Sequence, residues 1–372
     1  MSRKPFFSLK SDYQHDKLPG MGVLLVNVGT PSAPTTRAVR HYLAEFLSDS
    51  RVIEMPRWLW WLILHGIILR IRPARSAKAY SKIWTPEGSP LWVHNQELAQ
   101  KLGAKFAERY AAPIRLKLAM RYGQPSLANI LDKFRQEKIR RLLIVPLYPQ
   151  YCAATTASVF DEVTRILHSW RWLPELRFIN GYHDTPDYIQ ALTQSIQTYW
   201  QNQGKGEHLL ISFHGIPERY FQAGDPYFCF CQKTARLLAE QLQLASDQYS
   251  VSFQSRVGVE DWLRPYTVDR IEQLARQGVR RLQVICPGFA VDCLETLEEI
   301  AMEARTAFLS AGGEHFDYIP ALNSLNLHVD MLTKIITRHG QGWPELDPDW
   351  SVEAATEDTK ITKTLFEQKK YA

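Results

Sequence analysis

The sequence predicts an α/β protein with mostly parallel sheets, built as two similar copies of a four-strand unit. Three observations predict it. Short Val-, Ile- and Leu-rich runs alternate with stretches of helical period along the 372 residues, the signature of βα units. Most of these runs are apolar at nearly every position, as strands covered on both faces are. The third observation is an internal repeat, in the same order in both halves. LLVNVGTP at 24–31 matches LLISFHGIP at 209–217, RYG at 121–123 matches RVG at 256–258, and IRRLLIVPLYP at 139–149 matches VRRLQVICPGF at 279–289.

Strands are expected at 23–28, 115–120, 142–147 and 176–179 in the first copy, and at 209–213, 251–253, 282–286 and 316–319 in the second. The connection from first to second strand is about 50 residues longer in the first copy, too long for a plain loop. The surplus carries RVIEMPRWLWWLILHGIILRIRPARSAKAYSKIW, the most aromatic segment of the chain. The second copy has one residue more at the end of its first strand, His214. Both differences fall after strand C-termini, where open α/β sheets bind ligands. Gly20 and Gly22 precede the first expected strand instead of following it, and no G-x-x-x-x-G-K-[ST] occurs, so no nucleotide loop is expected. From Gln341 the chain is polar, carries Pro344 and Pro348, and reads as a loosely attached tail.

Composition excludes several classes. Hydrophobic residues at 45% and charged residues at 22% describe a globular chain, and a net charge of +5 is too small to argue for nucleic acid. The five cysteines are sparse and odd in number, which reads as free thiols in a reducing compartment, and Cys229-x-Cys231 lacks metal-site spacing. Residues 1–20 have basic groups but no apolar stretch, so no signal peptide is expected. The longest apolar run, 58–69, is interrupted by His65 and falls short of the ~20 residues a bilayer crossing needs. A cytoplasmic protein is expected.

Two segments carry groups suited to chemistry. SFHGIPERY puts His214 at the end of an apolar strand, where Gly215 and Pro217 stop the strand and let the imidazole project into a cleft; the plain alternative is a histidine that caps the next turn. VDCLETLEEIAMEA follows the third strand of the second copy. On a helix Asp292, Glu295 and Glu299 lie within about 60° of one another, with Leu294, Leu297 and Ala301 opposite. A solvated acidic face near a helix N-terminus would look the same. Placed by the repeat, the two segments open onto one crevice, where an imidazole and a row of carboxylates can hold a divalent metal transiently or take protons from a substrate. Arg121, Tyr122, Tyr148, Tyr151 and Trp262 fall after neighbouring strands, the aromatic and cationic groups that a large flat anionic ligand calls for.

The motifs LLVNVGTP, LYPQYCAATTAS, SFHGIPERYFQAGDPY, FQSRVGVEDWLRPYT and DCLETLEE resemble those of the ferrochelatases, in the family's order from about Gly22 to about Ile336. The resemblance implies two similar Rossmann-like lobes, each a four-stranded parallel sheet flanked by helices, with a porphyrin cleft between them. It implies an N-terminal lobe at 20–182 with an active-site lip at about 50–90, a C-terminal lobe at 183–340, terminal helices that cross between lobes, and a tail at 341–372. The activity implied is insertion of Fe2+ into protoporphyrin IX to give protoheme. His214 matches the family's cleft histidine and Glu295 its partner carboxylate, both expected to contact the metal; Glu299 is the next acid, with Asp292 a further supporting carboxylate. Arg121, Tyr148, Trp262 and Phe289 match positions lining the porphyrin pocket. Cys293 stands where some members carry histidine. No cofactor is expected beyond Fe2+ as substrate, and with no cysteine after Cys293 a C-terminal [2Fe–2S] cluster is not expected. The lip, Trp58 to Arg75, is expected either to rest on the inner face of a membrane or to close over ligand without lipid. A sister chelatase acting on coproporphyrin, and a tetrapyrrole or heme carrier, are the other readings.

Overall fold

The computed structural model describes residues 20–258 and 260–370. The reading of residues 1–20 as lacking a signal peptide lies outside them, apart from Gly20. Two four-stranded sheets form the frame, with all neighbouring strands parallel. The first has β1 (Gly20–Asn27), β2 (Ile114–Met120), β3 (Ile139–Pro146) and β4 (Glu175–Phe178) in the order β2-β1-β3-β4. The second has β5 (His208–His214), β6 (Tyr249–Gln254), β7 (Arg281–Ile285) and β8 (His315–Ile319) in the order β6-β5-β7-β8. The shared order is the structural form of the sequence repeat. It extends to detail: the Met120 N–H donates to Pro125 O at 2.7 Å, and at the matching place the Phe253 N–H donates to Pro265 O at 2.9 Å.

Alternation within the strands builds the core. Val23, Leu25, Leu143 and Val145 pack into one cluster with Leu209, Ile211, Phe213 and Ile285 of the second sheet, so the inner faces share a core. Leu24, Val26, Leu142 and Ile144 face a separate outer cluster, and Leu210, Leu282 and Val284 do the same in the second copy. β1 begins three residues earlier than expected, so Gly20 and Gly22 lie inside the strand. A Cβ at Gly22 would stand 2.8 Å from Ile139 Cγ2, and one at Gly20 2.9 Å from Pro113 O. These glycines let neighbouring groups press against β1.

The chain end returns to the first copy. The helix Asn326–His339 packs on the helix Pro90–Arg109 of the first copy, with Tyr110 OH 3.3 Å from Thr337 Oγ1. Trp343 is only 2% exposed and donates to Glu175 at 2.6 Å, while Arg141 donates to buried Glu345 at 2.9 Å. The first turn of the expected loose tail is therefore anchored on the first sheet, because an indole and an ion pair are buried there. The helix Val352–Lys370 follows.

Between β1 and β2 lies the long insertion, folded as the helix Arg57–Ile63, a π-helical segment Leu64–Ile68 and the helix Leu69–Ile83. Its inner side, with Trp60, Leu64, Leu69, Ala77, Tyr80 and Ile83, packs on Val39, Leu43 and Leu47. Trp60 donates its indole N–H to Leu47 O at 2.6 Å. Its outer side leaves Trp58 70%, Trp61 59% and Ile71 71% exposed. No helix among the described residues is long and apolar enough to cross a membrane.

Candidate active site

β5 ends in His214, which is half-buried and paired in register with Gln254 of β6. Its Nδ1 stands 2.6 Å from Gly215 O. A carbonyl oxygen only accepts, so Nδ1 carries the hydrogen and Nε2 is left as the basic nitrogen. The ring has two aromatic neighbours, Trp262 and Phe289, at centroid distances of 6.4 and 6.5 Å. Gly215 makes this possible: a Cβ there would come within 3.0 Å of the Trp262 ring and 2.9 Å of Gln254 O. The Trp262 indole N–H is buried without a hydrogen-bond partner.

The acidic segment after β7 is a π-helix, Glu295–Ala304, rather than the α-helix that the sequence suggested. Glu295 and Glu299 nevertheless stay close, since a four-residue step still returns almost to the same face. Gln254 Nε2 donates to the main-chain oxygen of Glu295 at 2.8 Å. Glu299 receives Ser255 N–H at 2.7 Å and Ser255 Oγ–H at 2.5 Å. Burial raises its carboxyl above the usual range; Ser255 and the neighbouring His214 oppose that, and Glu295 adds to it. Among the described residues no three His, Cys, Asp or Glu side chains form a closed metal cage.

Asp292 is not a member of the row. It precedes the helix, is 4% exposed, and accepts from Tyr318 OH at 2.6 Å, Asn323 Nδ2 at 2.7 Å and Thr296 Oγ1 at 3.0 Å. With its oxygens occupied, it ties the start of the π-helix to the turn after β8. Only the fold brings Tyr318 and Asn323 to it, so local spacing could not have distinguished it from Glu295.

In the first copy, Arg121 and Tyr122 belong to a network around Asp49. Arg121 Nη2 donates to Asp49 at 2.6 Å and its Nε to Ser158 Oγ at 2.7 Å; Tyr122 OH donates to Asp49 at 2.8 Å. Burial alone would raise the Asp49 carboxyl, but Ser158, the Arg51 amide, Tyr122 and Arg121 together hold it below its usual range. Tyr148 stands beside Tyr122 and Arg121, its phenol pushed up by burial.

Three further groups on this wall escaped the sequence reading. Tyr42, whose hydroxyl donates to Gly29 O at 3.2 Å, and Tyr80 both lie within electrostatic range of Glu295. Arg72 is half-buried on the same side; burial lowers its guanidinium, and Glu295 supports the charge. Its position in the Arg70, Arg72, Arg75 series concealed this, because Arg70 and Arg75 are exposed. The site as built presents a basic nitrogen and two carboxylates on one wall, and tyrosines with a fixed arginine on the other. A basic nitrogen beside carboxylates is a set of groups suited to exchanging N–H protons for a metal ion.

Comparison with known proteins shows the family. The ferrochelatase family model matches residues 20–340. A ferrochelatase of Nitrosococcus oceani is 53% identical over 337 residues, covering 91% of each chain. One of Methylibium petroleiphilum is 54% identical over 332 residues, covering 89% of this chain and 91% of its own. In fold, SirB from Bacillus subtilis with Fe3+ superposes with a TM-score of 0.51 at 12% identity, covering 88% of this chain and all of that one. The chain belongs to the ferrochelatase family, lyases that insert Fe2+ into a porphyrin in heme synthesis.

Proposed function

We propose that His214 Nε2 accepts a pyrrole proton from one face of a porphyrin bound in the cleft, while Glu295 and Glu299 carry iron in or protons out. The observation that carries this reading is the Nδ1 contact with Gly215 O, which leaves Nε2 as the acceptor beside Glu299. Metalation releases two N–H protons per Fe2+ bound, so a base and an acidic exit path are both required. In a flat free base the nitrogen lone pairs converge in the ring plane, out of reach of a hydrated ion; a cleft that holds the ring bent would expose them. Trp262 and Phe289 beside His214, and Tyr148 with the Arg121–Tyr122–Asp49 network opposite, are the surfaces that would hold it.

Protoporphyrin IX is the substrate this reading favours, with coproporphyrin the competitor. An anaerobic assay follows loss of porphyrin fluorescence with Fe2+, beside His214→Ala and Glu295→Gln. Rapid loss in wild type and a fall of about 10²- to 10⁴-fold in His214→Ala are expected. His214→Ala at full rate, with normal porphyrin binding, would exclude both roles for the imidazole. Tight binding without metalation by the wild type would turn attention to coproporphyrin or to a carrier.

The exposed side of the lip supports peripheral attachment to a membrane face, which for a cytoplasmic protein is the inner one. Trp58, Trp61, Leu62, Ile67 and Ile71 form an apolar row, and Arg70 and Arg75 next to it are exposed to meet anionic headgroups. Flotation with phosphatidylglycerol vesicles at low and high salt tests it. Salt-sensitive flotation is expected, and none at low salt would remove the membrane from the picture.

A further inference from the structure

We propose that Ser255 is a positioning residue that sets the plane and place of the Glu299 carboxylate. Ser255 is the residue directly after β6, next to Gln254, the register partner of His214. Its backbone is left-handed, with φ of +65°, a conformation that a residue with a side chain adopts at a cost and keeps only where its surroundings demand it. That turn aims both donors of the residue at one carboxylate. The Ser255 N–H reaches Glu299 Oε1 at 2.7 Å and the hydroxyl reaches Oε2 at 2.5 Å, one donor for each oxygen. Gln254 holds the Glu295 carbonyl, so the end of β6 grips the π-helix at two points.

The first copy shows what this strand end does without that task. There the Arg121 N–H donates to Asn27 O at 2.8 Å and the Tyr122 N–H to Val28 O at 2.9 Å, so the chain keeps pairing along β1. In the second copy Ser255 turns away from that path and spends both donors on a carboxylate. A carboxylate held by two charge-assisted bonds cannot swing, which suits a group that must pass an ion or proton onward without trapping it.

The inference rests on Glu299 serving the iron or proton path, and its test separates the two. Anaerobic kinetics with Fe2+ and porphyrin varied independently would compare wild type, Ser255→Ala, Ser255→Gly, Glu299→Gln and the double variant Ser255→Ala/Glu299→Gln. Glycine accepts the left-handed backbone freely and keeps the N–H donor, so it is expected to remove the hydroxyl without endangering the fold, which melting temperatures check. Both single Ser255 variants are expected to raise KM for Fe2+ about tenfold, with KM for porphyrin unchanged. The double variant is expected to be no worse than Glu299→Gln alone. Wild-type kinetics in both Ser255 variants beside a defective Glu299→Gln would overturn the role of Ser255. Full activity in Ser255→Gly with a defect only in Ser255→Ala would move the role from the hydroxyl to the backbone turn. Wild-type behaviour of Glu299→Gln would remove the underlying reading of Glu299 itself.

Discussion

The two copies carry a π-helical segment at the same place, directly after the third strand. In the first it is Ala153–Ala157, with the sequence AATTA; in the second it is Glu295–Ala304, with ETLEEIAMEA. One is small and uncharged, the other presents carboxylates. The first strands differ in the same sense: β5 ends on His214, and the matching turn of β1 goes straight from Val28 to Gly29. A duplicated frame has thus been divided. The first copy carries the tyrosines, the clamped Arg121 and the lip, while the second carries His214, Glu295 and Glu299, the groups proposed to move protons and metal.

Matching glycines after the first strands offer the strongest way to break that comparison. Gly29 has φ of +106°, and a Cβ there would stand 1.9 Å from Tyr122 O; Gly215 has ordinary φ, and its Cβ would stand 2.9 Å from Gln254 O. Gly29→Ala is expected to destabilise by about 3 kcal/mol or more. Gly215→Ala is expected to cost about 1–2 kcal/mol but to displace His214. Urea unfolding and turnover measured together check both, and equal stability losses would contradict the assigned difference.

Next in size is Asp292→Ala, which strands the buried donors of Tyr318, Asn323 and Thr296. A loss of about 2–3 kcal/mol is expected, with turnover falling because the π-helix start loosens. Glu295→Gln should leave the melting temperature near wild type while turnover falls. A variant pair with the opposite pattern would put Asp292, and not Glu295, in the chemistry.

The smallest effect concerns Asp49. Its folded-state carboxyl titrates below the ordinary value, so the stability it contributes is present above about pH 4 and lost as pH falls through the depressed folded value. Asp49→Asn should therefore flatten the acid limb of the stability profile and weaken porphyrin binding through a loosened Arg121. An unchanged acid limb would show that the Asp49 network contributes nothing on the first wall.

Much of this was legible in the residues. The repeat foretold two units of four strands each, since apolar runs and their matches recur along the chain, and the order of strands within each sheet came from the fold. His214 stood out as the one insertion in a matched strand, and Glu295 and Glu299 as a turn-spaced pair. Asp292 shared their spacing and not their place, because Tyr318 of β8 and Asn323 of the turn after it enclose its carboxylate. Arg72, Tyr42 and Tyr80 were hidden in helices whose inner side is defined only by packing of the lip on the helix Thr36–Leu47.

Sequence by itself determined the class, the duplication, the family and the two segments that carry chemistry, because apolar period and short motifs are properties of neighbouring residues. Tertiary structure decided that Asp292 is enclosed by Tyr318 and Asn323, that Arg72 is half-buried near Glu295, and how Ser255 grips Glu299. Those depend on which distant donors arrive beside a buried charge, and a charge taken out of water is governed by the partners that reach it.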